Sequence, residues 1–296
     1  DDYGTSYYYR GAVENNYVKF AGFYWRIIRI NGDGSLRIMY DGTQAHANGT
    51  GNTNRFIDVS AFNSFSRDAK NVGWMYGPAG ETPSTSKEEA QTNTVDSTIK
   101  GVVDAWYKTN IADKGYAAAV SDTLFCNDRS TADIPKTWFI GESMTPGFGQ
   151  NVTAYGSFSR LLTKEGNWSN TPNPTFKCAQ KNDAFTANDT LNGNGALTYP
   201  IGLITVDEMV AAGSGMYGAI NNNYYLCKGG WYWSLSPNHM DPNNSNAYVF
   251  LGDYNGALFT YEAYFIGNVA PVINLSAEYA STLIGNGTME NPYREK

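Results

Sequence analysis

Apolar and polar positions alternate most cleanly near the two ends of the chain. Tyr17–Ile30 reads as one or two strands, Asn31-Gly-Asp-Gly34 as a hairpin turn in which glycine supplies positive φ, and Ser35–Tyr40 as the returning strand. Trp231, Trp233 and Leu235 alternate with Tyr232 and Ser234, the period of a strand with one apolar face. Ser236-Pro237 is expected to stop that strand, because proline cannot donate into a ladder. Ala247–Leu251 and Ala257–Tyr261 read as short strands around the turn Asp253-Tyr-Asn-Gly256. Val269, Val272, Ile273 and Leu275 suit a closing strand.

Two helices stand out between these ends. In Ser97–Ile111 the residues Ile99, Val102, Val103 and Trp106 fall on one stripe, read as a core face, with Asp96 or Ser97 as cap. In Ile201–Gly213, Thr205 and Glu208 form a capping box and Gly213 is a C-terminal stop. Residues 41–95 read mostly as loop, with 78–94 as a polar excursion. Residues 131–200 form a long Asn-, Thr- and Gly-rich insertion, and 276–296 a polar tail. Asp122, Asp128 and Arg129 read as a solvated turn with an Asp–Arg contact. The segment 238–265 has neither period, and irregular sequence between regular strands suggests a frame that presents a surface.

Composition sharpens this picture. Charged residues are 17% and aromatics 15%, so much of the surface is built from Asn, Ser, Thr, Gly and Tyr, a mixture suited to recognition. The net charge of −7 argues against a nucleic-acid partner. No apolar run is long enough to span a membrane. Of the three cysteines, Cys126 and Cys178 are the favoured pair with Cys227 left over; three reduced thiols are the alternative. No metal or cofactor is expected, since cysteine spacings fit no zinc pattern and His46 and His239 do not cluster with them.

The order Trp231-Tyr-Trp-Ser-Leu-Ser-Pro237, a Gly-turn hairpin, then Pro271-Val-Ile-Asn-Leu275 resembles the C-terminal half of a bacterial C-type lectin fold. That version is related in fold to formylglycine-generating enzymes and is used by the variable proteins of diversity-generating retroelements. Trp25–Ile30 is similar to the family's first strands. The family's Val-Arg-Pro-Val reads Val269-Ala-Pro-Val272 here. The resemblance implies an α+β fold: one lectin-like domain over 1–296, with short antiparallel strands, two helices, a large loop content and chain-terminal strands that pair. Its insertions would be about 76–95 and 131–200, and 227–275 a display region in which 238–265 is rewritten at adenines in Asn-type codons. It further implies an extracellular, surface-tethered protein, with a pilin-like apolar anchor expected ahead of Asp1 as its sole membrane contact.

The function expected is binding of a protein or glycan on another cell or host surface, without catalysis. The candidate contacts are Tyr232, Asn238, His239, Met240, Phe250, Leu251, Tyr254, Asn255, Phe259, Tyr261, Tyr264 and Phe265. The alternative is that half of them are hairpin packing, which strand alternation favours for some of Phe250, Leu251 and Phe259. An interface of standard size buries roughly 1,600 Å² in total. Formylglycine-type oxidation needs a cysteine pair near the C-terminus, and this half holds Cys227 alone. A Gly-X-Ser-X-Gly elbow is missing, and no fixed carboxylate pair is legible. The alternatives are a pilin-like structural subunit and a calcium-dependent sugar lectin; for the latter, Asp241-Pro-Asn243 is the nearest approach to the ligand motif.

Overall fold

The computed structural model describes residues 1–132, 148, 153–161, 172–215, 219–241 and 244–296. The chain is α+β, with mostly antiparallel strands in two main sheets and a few short helices. It opens with β1 (Tyr7–Tyr8), β2 (Tyr17–Phe20), β3 (Phe23–Ile30) and β4 (Leu36–Gly42). Ala21 and Gly22 both take positive φ, so a two-residue turn folds β2 onto β3 with Phe20 opposite Phe23. The next turn is the one expected: Asn31 N–H donates to Ser35 O, and the Asp33 carboxylate accepts from the Ser35 N–H and hydroxyl.

The middle of the chain holds short strands: β5 (Asp58–Ala61), β6 (Met75–Tyr76), β7 (Val95–Asp96), β8 (Phe125–Cys126), β9 (Thr153–Ala154) and β10 (Ala184–Phe185). The helices are α1 (Lys87–Ala90), α2 (Thr98–Tyr107), α3 (Gly156–Leu161), α4 (Val206–Ala212) and α5 (Ala277–Ser281). The last strands are β11 (Tyr232–Asp241), β12 (Asn246–Gly252), β13 (Leu258–Glu262), β14 (Ile266–Val269) and β15 (Val272–Leu275). One sheet runs β1-β3-β4-β15 with β2 also on β3; the other runs β13-β12-β11-β14-β5 with β9 also on β11.

Two strand expectations need correction. Strand β11 does not stop at Pro237 but runs on to Asp241. Its register shifts on both sides of Pro237, and a bulge is where a residue without an N–H is tolerated in a ladder. The closing run is two strands in different sheets: β14 pairs with β5 and β11, β15 with β4, and Ala270-Pro271 carries the chain across. The polar tail is anchored, because Tyr293 forms a parallel bridge with Val18 of β2.

The two expected helices are present. On α2, Ile99 and Val103 are fully buried, while half-buried Trp106 packs edge-on against Trp25 and Tyr40. On α4 the capping box forms in both directions, and Gly213 takes φ 110° at the C-terminal cap. The excursion at 78–94 is pinned. Lys70 Nζ donates to Pro78 O at 2.6 Å and to Thr82 O, and the buried Asp68 carboxylate takes the Ser84 hydroxyl and N–H. Much of the 131–200 insertion lies outside the described residues; its described part includes β9, α3 and β10. Cys126 and Cys178 are joined, a link worth about 4 kcal/mol in the chain-entropy account, and Cys227 is free and buried.

Asp122, Asp128 and Arg129 do not form a solvated turn. Arg129 pairs with Asp183 at 2.7 Å, both buried. Asp128 pairs with Arg160, which also holds Asp207. Asp122 accepts the backbone N–H groups of Ala187, Asn188 and Asp189. A low charge content concealed this use of charge, since sequence assigns isolated charges to the surface by default.

The buried Glu208 is the largest such junction. Its carboxylate lies 3.0 Å from Arg29 Nε and 2.5 Å from Arg37 Nε, and also closes the α4 capping box. Burial opposes its ionisation, but Arg37 and Arg29 outweigh that and hold the carboxyl below its usual value. Replacing Glu208 with Gln leaves the buried Arg37 without a carboxylate, while Arg29 keeps Asp1. It should cost about 3–5 kcal/mol in urea unfolding. A loss below about 1 kcal/mol would show that the junction is not what ties α4 to the first sheet.

Candidate ligand-binding face

The twelve candidate contacts fall into three groups by position. Tyr232, Asn238, His239, Met240, Phe250 and Leu251 are all buried. This corrects their assignment to an exposed face. β11 and β12 are inner strands, so apolar neighbours such as Phe250 and Leu251 are covered on both faces and no alternation marks an outside. The Tyr232 hydroxyl donates to Leu226 O at 2.9 Å, and its ring lies where a Cβ at Gly252 would go. Asn238 accepts the Tyr155 N–H through its carbonyl, and Met240 pairs with Thr153 and Ala247.

His239 lies parallel on Tyr248, with ring centroids 4.5 Å apart and planes 2° apart. Burial pulls its imidazole down from 6.5 to about 3, so it is neutral at physiological pH. It is part of the packed framework rather than a displayed contact.

The second group forms a continuous array of rings. Phe259 and Tyr261 lie on one face of β13, opposite Leu251 and Val249, and both are half-buried. Tyr261 stacks on Trp231 at 5.6 Å and meets Phe259 at 6.0 Å and Phe265 at 4.5 Å. Phe265 in turn packs 5.0 Å from Tyr264. Tyr264 is 45% exposed and Phe265 36%, so the array rises from the sheet into solvent at the turn between β13 and β14. Trp231 was missed as a member, although its alternation with Trp233 had placed it on an apolar strand face. The closeness of Trp231 depends on Gly267, where a Cβ would lie 2.3 Å from its ring.

The third group is Tyr254 and Asn255, in the turn at the other end of β13. Tyr254 is 62% exposed and Asn255 half-buried. The Asn255 side chain accepts the Ala257 N–H and shapes that turn. These two residues therefore do not join the array around Tyr264.

A polar cleft adjoins the array. It is lined by the segment after β5, the turn entering β12, Glu81 and Tyr264. Asn244 fixes the turn, accepting the Asn246 N–H and donating to the Tyr248 hydroxyl, which donates to Glu262. Among the described residues, no group of three or more His, Cys, Asp or Glu side chains is placed to hold a metal ion.

Comparison with protein-family models, with curated proteins and with solved structures finds no match for this chain.

Two expectations follow from these positions. The double substitution Tyr264→Ala with Phe265→Ala should change stability by no more than about 1 kcal/mol, whereas Phe250→Ala should cost about 3–5 kcal/mol. Equal losses would put the array in the core. His239 takes up a proton more readily in the unfolded chain than in the fold, so stability is full above pH 6.5 and falls as pH drops toward 3. This group alone should cost about 2 kcal/mol between near pH 7 and about pH 5, read from urea midpoints, and His239→Phe should remove that share. An unchanged pH slope in the variant would show that His239 takes up its proton as readily in the fold as in the unfolded chain.

Proposed function

We propose that this protein is a surface-displayed ligand-binding domain of the C-type-lectin-like kind, whose C-terminal face is diversified by a retroelement and performs no catalysis. The observation that carries the reading is the ring array from Trp231 to Tyr264. Its base is locked between paired strands, and its tip stands in solvent on a turn. Rigid aromatic rings give contact area with little loss of rotamer freedom on binding, which suits them as anchors for a partner on another cell.

Other features support the reading. The closing strand β15 returns to the first sheet beside β4, and the tail reaches β2. The first of these belongs to the lectin-like plan inferred from the sequence. The extracellular placement agrees with the Cys126–Cys178 disulfide, a bond that persists in oxidising surroundings. Burial narrows the variable set to Tyr254, Asn255, Phe259, Tyr261, Tyr264 and Phe265. Tyr232, Asn238, His239, Met240, Phe250 and Leu251 belong to the frame, where free substitution would cost the fold.

Sequencing many natural copies of the gene from one population tests this. Substitutions should concentrate at adenine positions in the codons of the narrowed set, with a near-copy of the region and a reverse transcriptase gene close by. The codons of the buried six should stay constant. Variation spread evenly over the chain, or concentrated in the buried six, would defeat the proposal.

A further inference from the structure

We infer that the cleft beside Tyr264 is a calcium-independent binding site for a neutral pyranose sugar. The inference rests on the ligand-binding reading above and gives its exposed tip a ligand class. The cleft is bordered by Ser64, Phe65, Arg67, Glu81, Asn246 and Tyr264. These supply two aromatic rings, one cation, one carboxylate, an amide and two hydroxyls. That is the set needed to hold a ring with apolar C–H faces and a rim of hydroxyl groups.

The polar groups stand ready for a ligand. Arg67 and Glu81 are exposed, and neither makes an ion pair or side-chain hydrogen bond within the described residues. The Asn246 side-chain oxygen takes the Ser66 hydroxyl at 2.9 Å, which leaves its NH₂ as the donor for a ligand. Tyr264 exposes nearly half its surface while its ring is backed by Phe265. The electron-rich face of a tyrosine attracts the polarised C–H groups of a sugar.

The supports under these groups are stiff. Arg67 stands between Ser66 and Asp68, both buried. Ser66 O accepts the Ala247 N–H at 2.6 Å, and Asp68 caps the following turn. The segment carrying Glu81 is held by Lys70 through the carbonyls of Pro78 and Thr82. Ala263, beside Tyr264, donates to Ala247 O and accepts from Asn63 N–H. A preformed site loses little freedom when the ligand arrives.

Charge and shape choose the ligand class. A net charge of −7 and the Glu81 carboxylate disfavour an acidic sugar, while Arg67 opposes a cationic ligand. A protein partner anchors through buried apolar side chains, and here the apolar lining is limited to Phe65 and Tyr264. Calcium is not invoked, because no cluster of three acidic or histidine ligands exists among the described residues.

The test is saturation-transfer NMR and calorimetry with the methyl glycosides of glucose, galactose, mannose and N-acetylglucosamine, with and without EDTA. At least one should bind saturably with a Kd of roughly millimolar order, unchanged by EDTA. Tyr264→Ala and Glu81→Gln should each weaken it about tenfold or more, at an unchanged melting temperature. Tyr264→Phe, which keeps the ring, should retain binding. Saturable binding by none of the four overturns the inference. So does binding that EDTA abolishes, or binding equal in wild type and both variants. Failure here with codon variation still focused on the array would remove the sugar alone; sugar binding without focused variation would remove the diversification alone.

Discussion

A charge taken out of water must find an opposite charge or a set of hydrogen-bond acceptors inside the protein, as Arg26 and Lys70 do with amide and carbonyl oxygens, and this requirement joins the parts of the fold. Arg37, Arg55 and Arg129 are fully buried and each meets a carboxylate; those of Arg37 and Arg129 come from distant parts of the chain. Asp41 at the end of β4 receives Arg55 from the loop before β5 and Lys228 from the approach to β11. Burial pulls Lys228 down to about 8 against the opposing pull of Asp41, while Lys228 and Arg55 keep Asp41 ionised despite its burial. Glu208 does the same between α4 and strands β3 and β4. Removing one member of such a junction leaves the other stranded, so each acts as a register pin between segments.

That arrangement explains how a polar, loop-rich chain can hold a surface steady. The frame is fixed at points where a one-residue slip would unpair a buried charge. The strands between these points can then end in turns whose side chains make few demands on the interior. The tip of the ring array and the adjoining cleft are built on such turns: the one entering β12, the one between β13 and β14, and the segment after β5. Residues on turns supported by paired strands combine freedom to change with a constant position.

The sequence made regular elements legible where one signal acted alone. The capping box at Thr205 and Glu208 and the Asn31–Gly34 turn are local, and both formed as read. The α+β class was an implication of the resemblance to the C-type lectin fold, and the mixture of antiparallel strands and short helices agrees with it. Burial was poorly legible. Strand β12 lies between β11 and β13, with Ala247 and Val249–Gly252 buried, and the aromatic and amide residues around it looked like display residues by composition alone. Consecutive apolar residues at Val249, Phe250 and Leu251, without alternation, were the available sign. The split of the closing run at Ala270-Pro271 was hidden because both halves are β-branched and aliphatic. Arg129 and Asp183 could not be paired in advance, since 54 residues separate them.

The link between Cys126 and Cys178 makes residues 127–177 part of a closed covalent ring. A protease that severs the backbone anywhere in that ring opens it without releasing a fragment. The two segments flanking the cut stay tethered through sulfur, and strand β11 with everything after it remains attached to the first sheet. In surroundings rich in hydrolytic enzymes, a nick of this kind becomes a tolerable injury rather than a loss of the C-terminal half.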